Sequence, residues 1–117
     1  MLNLFIYDSF MKGYMNHKYL KGYSFDKAIL HGYKRIWDRS KNTAILVKDI
    51  INSVKGELYW NINDKDLKRI DRLHGTPHYY THKQVEIILL ENKKPVSAMM
   101  YAPTDYFIQQ YLSVEKK

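Results

Sequence analysis

The chain has 117 residues and a mass of 14.1 kDa, and 45% of its residues are hydrophobic and 26% charged. That length sets a single domain, residues 1–117, able to take roughly two-thirds of its unfolded-chain surface out of water, and excludes two domains. The lack of any cysteine excludes a disulfide-stapled mini-protein and suits a reducing compartment.

Residues 2–7 open the chain with a loose alternation that predicts a buried first strand. This start has no basic region and no small-residue cleavage site, so it does not read as a signal peptide. The longest apolar runs, residues 44–47 and 87–90, fall far short of the roughly 20 residues of a membrane helix. No membrane association is expected, and the expected location is the cytoplasm. Asp8 to Gly13 reads as a loop, and residues 14–20 as one or two helical turns. Ser24 to Trp37 is β-prone, with Gly32 marking a bulge or bend. Residues 43–47 and 54–60 read as two further strands, the second with Gly56 as a bending point. The clearest helix is 64–74, capped by Asn63, with Leu67, Ile70 and Leu73 on one face. Gly75 supplies its left-handed stop and Pro77 follows. Strands at 83–90 and 96–101 flank a turn at 91–94. Pro103 or Thr104 then opens a last helix containing Tyr106, Phe107, Tyr111 and Leu112. Strands outnumber helices, so the expected class is α+β with a curled or barrel-like sheet.

Lys and Arg number 19 against 12 Asp and Glu, a formal charge of +7. Residues 1–41 hold eight basic and three acidic side chains, so most of the excess lies in the first third, with five of the eleven tyrosines. Cations interleaved with rings can bind nucleic acid through phosphates and bases. The same pattern also describes a solvated lysine surface over strands that use tyrosine as half-buried filler. Nucleic acid is therefore a partner placed behind a small-molecule ligand. Either way, the charge favours anionic partners.

His74, His78 and His82 are spaced by four, which on a continuous helix would line one face like a metal site. Gly75 and Pro77 break that helix, so no metal site is expected, and no cofactor. There is no Walker-type phosphate loop, no cysteine nucleophile and no serine in a nucleophile elbow. The polar turn after Tyr7, with Ser9 and Gly13, can present consecutive backbone amides to a carboxylate or phosphate.

Four segments in order then point to one family. Residues 5–13, Phe-Ile-Tyr-Asp-Ser-Phe-Met-Lys-Gly, are similar to the Tyr-Gly-Ser/Thr-Leu-x-x-Gly signature of gamma-glutamylcyclotransferase-like proteins. Asn16-His17 falls where the gamma-glutamylamine cyclotransferase branch often has Asn-His. Val54 to Tyr59 resembles the family's Val-x-Gly-Glu-Leu/Val-Tyr strand. Leu67 to Tyr80 resembles its Leu-x-x-Leu-Asp-x-x-Glu-x-x-Pro-x-x-Tyr helix and turn, here with Ile70-Asp71, His74, Pro77 and Tyr80. The strand ending at Met100-Tyr101 fits as well.

The resemblance implies a small β-barrel with flanking short helices and one pocket. In such proteins the amides of the signature loop hold the substrate's carboxylate end. A helix-end glutamate moves protons while the alpha-amine attacks the gamma-carbonyl, releasing 5-oxoproline. By analogy Tyr7, Asp8, Ser9, Phe10, Tyr80 and Tyr101 would line the pocket. Glu57, on its strand, is expected to be hydrogen-bonded structure rather than a substitute carboxylate. Two positions depart from the pattern: the helix-end glutamate is His74 and the signature glycine is Asp8. The expectation is a non-standard member that binds a small ligand of anionic character without the standard cyclotransferase reaction. The alternative is an active cyclotransferase with His74 and Asp8 as the acid–base pair, facing each other across the pocket. A nucleic-acid or protein-binding module acting through the basic surface is the third reading.

Overall fold

A computed structural model describes residues 2–38 and 43–115, with side chains described as far as Gln110. Arg39 and Lys41 of the basic first third, and the side chains of Tyr111 and Leu112, lie outside the described residues. The elements in order are β1 (Leu2–Ile6), a 3₁₀ turn (Met15–Tyr19), β2 (Phe25–Asp38), β3 (Thr43–Ile62), α1 (Asp64–Leu73), β4 (Tyr80–Leu89), β5 (Pro95–Pro103) and α2 (Asp105–Glu115).

The strands close into a five-stranded barrel in the order β1-β3-β2-β4-β5. All neighbours are antiparallel except β5, which returns alongside β1 in parallel. The class is thus α+β with a small barrel and short helices, as the sequence predicts. No described helix is long and apolar enough to cross a membrane.

β1 is covered on both faces, which explains its weak alternation. Leu4 and Ile6 join a core with Phe10, Leu20, Tyr59, Ile62, Ile70 and Tyr101. Phe5 and Tyr7 point the other way, into a core with Leu58, Ile87 and Met100. Gly56 is needed for more than bending. A Cβ there would lie 2.4 Å from the Ile6 carbonyl oxygen and 2.7 Å from the Phe5 ring, so the missing side chain lets β1 seat against β3.

The two strands predicted at 43–47 and 54–60 are one strand, β3. Its partner β2 runs past both halves, and the register slips between them: His31 pairs with Ser53 but Tyr33 with Lys48. Two steps on β2 thus oppose five on β3. The excess is absorbed at Asp49, whose carboxylate accepts from the Ile51 amide (3.3 Å) and the Asn52 side chain (2.7 Å). Gly32, at φ +87°, supplies the backbone turn on the opposite strand. Lys48, Asp49, Asn52 and Ser53 break the apolar run on either side of the exposed Ile50 and Ile51, which hides this continuity from an apolar-run criterion. β4 likewise begins at Tyr80, three residues before the predicted start, because Tyr80 already pairs with Pro103.

α1 follows its sequence signals closely. Asn63 accepts from the Asp66 amide at 2.8 Å, Leu67 and Ile70 are buried, and Gly75 turns left-handed at φ +67° just after His74 caps the helix. This places His74 at a helix end directly over the mouth of β1.

Candidate functional site

The loop leaving β1, the C-terminal end of α1 and the start of β4 border a cleft of about 440 Å³. Asp8, Ser9 and Phe10 come from the loop, Arg72 to Gly75 from the helix end, Tyr79 and Tyr80 from the approach to β4. Asn16, Thr43 and Phe107 complete the wall. Five of the seven sequence-predicted site residues therefore meet there: Asp8, Ser9, Phe10, His74 and Tyr80.

Tyr7 and Tyr101 do not line the cleft, a correction to the expectation drawn from the resemblance. Both are 1% exposed and sit beneath it. The Tyr7 hydroxyl donates to the Tyr101 carbonyl, and the Tyr101 hydroxyl donates to Asp71. Tyr7, just beyond β1, packs with Phe5 in the second core, and Tyr101 is covered by the His74 ring stacked on it, so they support the floor of the cleft. Arg72, Tyr79 and Phe107 were missed. Nothing in the residue string distinguishes Arg72 from other exposed helix cations, whereas Phe107 belongs to the last helix that the sequence predicts.

Asp8 and His74 are hydrogen-bonded to each other across 66 residues of sequence, Oδ2 to Nε2 at 2.7 Å. They are 4% and 6% exposed. The other carboxylate oxygen, Oδ1, accepts from the Phe10 amide at 3.1 Å. The other ring nitrogen, Nδ1, lies 3.0 Å from the Ile70 carbonyl oxygen. A carbonyl can only accept, so Nδ1 carries a hydrogen. The Nε2–Oδ2 bond needs one more proton, shared between acid and base. The pair is imidazolium–carboxylate or imidazole–carboxylic acid, and in both forms its net charge is zero. The imidazole has no lone pair left for a substrate.

Aromatic rings hold that geometry. His74 stacks on Tyr101 at 3.9 Å and 6°, and on Phe10 at 4.6 Å and 24°, with Tyr80 edge-on at 5.3 Å. Burial, and then the hydrogen bond to Asp71, pushes the Tyr101 hydroxyl far above its ordinary range.

The loop is fixed from its other side as well. Asn16 donates to the Ser9 hydroxyl oxygen at 2.8 Å, and its amide donates to the Ser9 carbonyl at 3.0 Å. Glu57 accepts from the Lys12 amide and the Tyr59 hydroxyl, both at 2.8 Å. His17 Nδ1 is 3.3 Å from the Phe10 carbonyl and 3.1 Å from the Tyr59 oxygen. Glu57 is thus hydrogen-bonded structure, as expected from its strand position.

The three regularly spaced histidines go to three places. His74 binds Asp8, His78 packs on Tyr79 and Tyr106, and His82 meets Asp71 at 2.7 Å. Among the described residues no three His, Cys, Asp or Glu side chains gather around a common metal position.

A barrel of this strand order, with a signature loop and a helix end over one mouth, defines a recognisable class. The family model described as "Gamma-glutamyl cyclotransferase, AIG2-like" matches residues 4–116. The chain belongs to this family. A protein of Methanocaldococcus jannaschii, named "putative gamma-glutamylcyclotransferase", is 35% identical over 99 residues, covering 84% of this chain and 81% of its own. The crystal structure of an AIG2-like protein from Mus musculus superposes with a TM-score of 0.78 at 20% identity, over 96% of this chain and 82% of that one. A solution structure from Arabidopsis thaliana gives 0.74 at 17% identity, over 98% and 84%. At these identities the two structures speak for the fold alone.

Proposed function

We propose that this family member binds a small anionic ligand in the cleft and does not carry out the standard cyclotransferase reaction. The supporting observation is the closed Asp8–His74 pair. In the reaction the resemblance implies, a loop amide receives the substrate's carboxylate and a helix-end group takes up a proton. Here the Phe10 amide already holds the Asp8 carboxylate, and both nitrogens of His74 already face oxygen acceptors. A base must have a free electron pair within reach of the proton it takes. His74 has none.

The sign of the ligand's charge follows from the same pair. Asp8 and His74 cancel, so the one uncancelled charge among the lining residues is the exposed Arg72 guanidinium. A guanidinium presents its donors in a fork suited to phosphate or carboxylate. Phe10, Leu73, Tyr79, Tyr80 and Phe107 supply an apolar wall, which suits a ligand with a planar or apolar body, such as a nucleotide.

The test is to incubate the protein with gamma-glutamyl peptides and amines and measure 5-oxoproline, alongside calorimetric titration of nucleoside monophosphates and their parent nucleosides. No 5-oxoproline is expected, with tighter binding of the phosphorylated compound and a loss of about tenfold in Arg72→Ala, the order of a hydrogen bond to a charged group. Release of 5-oxoproline that disappears in His74→Ala would overturn the proposal in favour of the enzyme.

A further inference from the structure

The described surface cations of this chain are set apart from its described carboxylates. Setting Asp38 aside, no lysine or arginine among the described residues lies within 4.0 Å of a carboxylate. Five of the carboxylates are turned to other donors. Asp8 is held by His74, Asp26 by the Trp60 indole, Glu57 by Tyr59, Asp66 by Tyr23, and Asp71 by Tyr101 and His82. Among the described residues, Asp38 aside, the lysines and arginines therefore stand without a carboxylate beside them.

On one strand those cations alternate with rings. Beyond the β2 irregularity, Tyr33, Arg35 and Trp37 occupy alternate positions and so share one face, each of them half-buried. Arg35 is held by the carbonyls of Tyr7 (3.1 Å) and Lys55 (2.9 Å) and lies over the Trp37 ring at 5.4 Å. Tyr14, 45% exposed, stacks on Trp37 at 5.3 Å and 11°. At the other end Lys83 donates to the Tyr33 hydroxyl at 2.9 Å, and Lys48 is the cross-strand partner of Tyr33. From Tyr33 to Trp37 the strip runs about 13 Å at the usual strand rise.

We propose that this strip binds single-stranded nucleic acid, independently of the cleft. Phosphates meet Arg35, Lys48 and Lys83, and bases stack on Tyr14, which its contact with Trp37 holds in a fixed orientation. A single strand fits better than a duplex because rings, rather than a groove-filling helix or ribbon, are presented, and in a duplex the base faces are already stacked on one another.

The experiment is fluorescence anisotropy of a labelled 20-nucleotide oligothymidylate titrated with the whole chain at 50 and 200 mM salt. Three phosphate contacts on a single strand give a log–log salt slope of about −2, hence an affinity loss of roughly 16-fold over that range. Tyr14→Ala, at a half-exposed position and checked for fold by circular dichroism, is expected to weaken binding about tenfold. Lys48→Ala with Lys83→Ala should flatten the slope to about −0.7. Any of these results would overturn the proposal: no binding at 50 mM salt; equal or tighter binding of a duplex of the same length; equal binding of inorganic polyphosphate; or full affinity in Tyr14→Ala. Binding confined to phosphatidylserine vesicles would also overturn it, assigning the strip to a membrane surface.

Discussion

Breaking the buried Asp8–His74 pair from each side in turn tests the reading of the site by stability alone. In His74→Leu the Asp8 carboxylate stays 4% exposed and keeps the Phe10 amide, but its second oxygen loses its partner. A buried charge stripped of its counter-charge costs about 3–5 kcal/mol. Asp8→Ala is expected to cost less, about 1–3 kcal/mol, the cost of leaving Nε2 without a partner, because the imidazole keeps its bond to Ile70. In the double variant neither charge remains, so its loss should fall short of the sum of the two by about 2 kcal/mol, a coupling of the size found for groups in one network. Urea unfolding monitored by circular dichroism reads this directly. With m of about 1–3 kcal/mol/M, a loss of 3 kcal/mol moves the midpoint by at least about 1 M. Single variants that each cost under about 1 kcal/mol and add up in the double would refute a closed, mutually neutralising pair.

Gly56→Ala should destabilise by roughly 3 kcal/mol or more, since its Cβ would collide with backbone and ring atoms of β1. Gly13→Ala, at φ +92° but with open space around it, should cost only about 1–2 kcal/mol; the two midpoints in urea compare them. Asn63→Ala removes the N-cap acceptor of α1 and should cost about 1 kcal/mol in the same assay. The hydroxyls of Tyr7, Tyr59 and Tyr101 all titrate above their ordinary range, chiefly through burial. The folded state thus holds these protons when the unfolded chain releases them, so stability is fully present below pH of about 10 and declines as pH rises beyond it. Tyrosinate absorbance should show these three ionising only with unfolding; normal titration in the folded protein would contradict their burial.

The barrel was legible because its elements announce themselves locally. Asn63, the Leu67–Ile70 stripe and Gly75 mark α1 with little help from the rest of the chain. The continuity of β3 was not legible, because Lys48, Asp49, Asn52 and Ser53 interrupt its apolar pattern and only the register against β2 shows the two halves to be one strand. Asp8 and His74 stood out as departures from a family pattern, and their facing each other was foreseen as an alternative. What the residue string cannot express is where the remaining atoms of each group point. Oδ1 turns back to its own loop and Nδ1 back to its own helix, so that every polar side-chain atom of the pair has a partner. Tyr7 and Tyr101 were misplaced for a related reason. A motif names residues that surround a pocket, but what packs over each one, as the His74 ring does over Tyr101, decides which of them line it.

The two departures make physical sense only together. A carboxylate at position 8 alone would be a buried anion in a loop built from amide donors. An imidazole at position 74 alone would be sandwiched between Phe10 and Tyr101 with Nε2 unpartnered. Paired, all four of their polar side-chain atoms take part in hydrogen bonds. Stability does not account for choosing such a pair, because a well-packed apolar pair at a buried position is commonly as stable or more so. Its distinct effect is on the cleft. The carboxylate fills the loop amide from within, the imidazole gives up both nitrogens to the protein, and the floor becomes neutral. On the proposed function, a ligand's charge is then met by Arg72 at the rim.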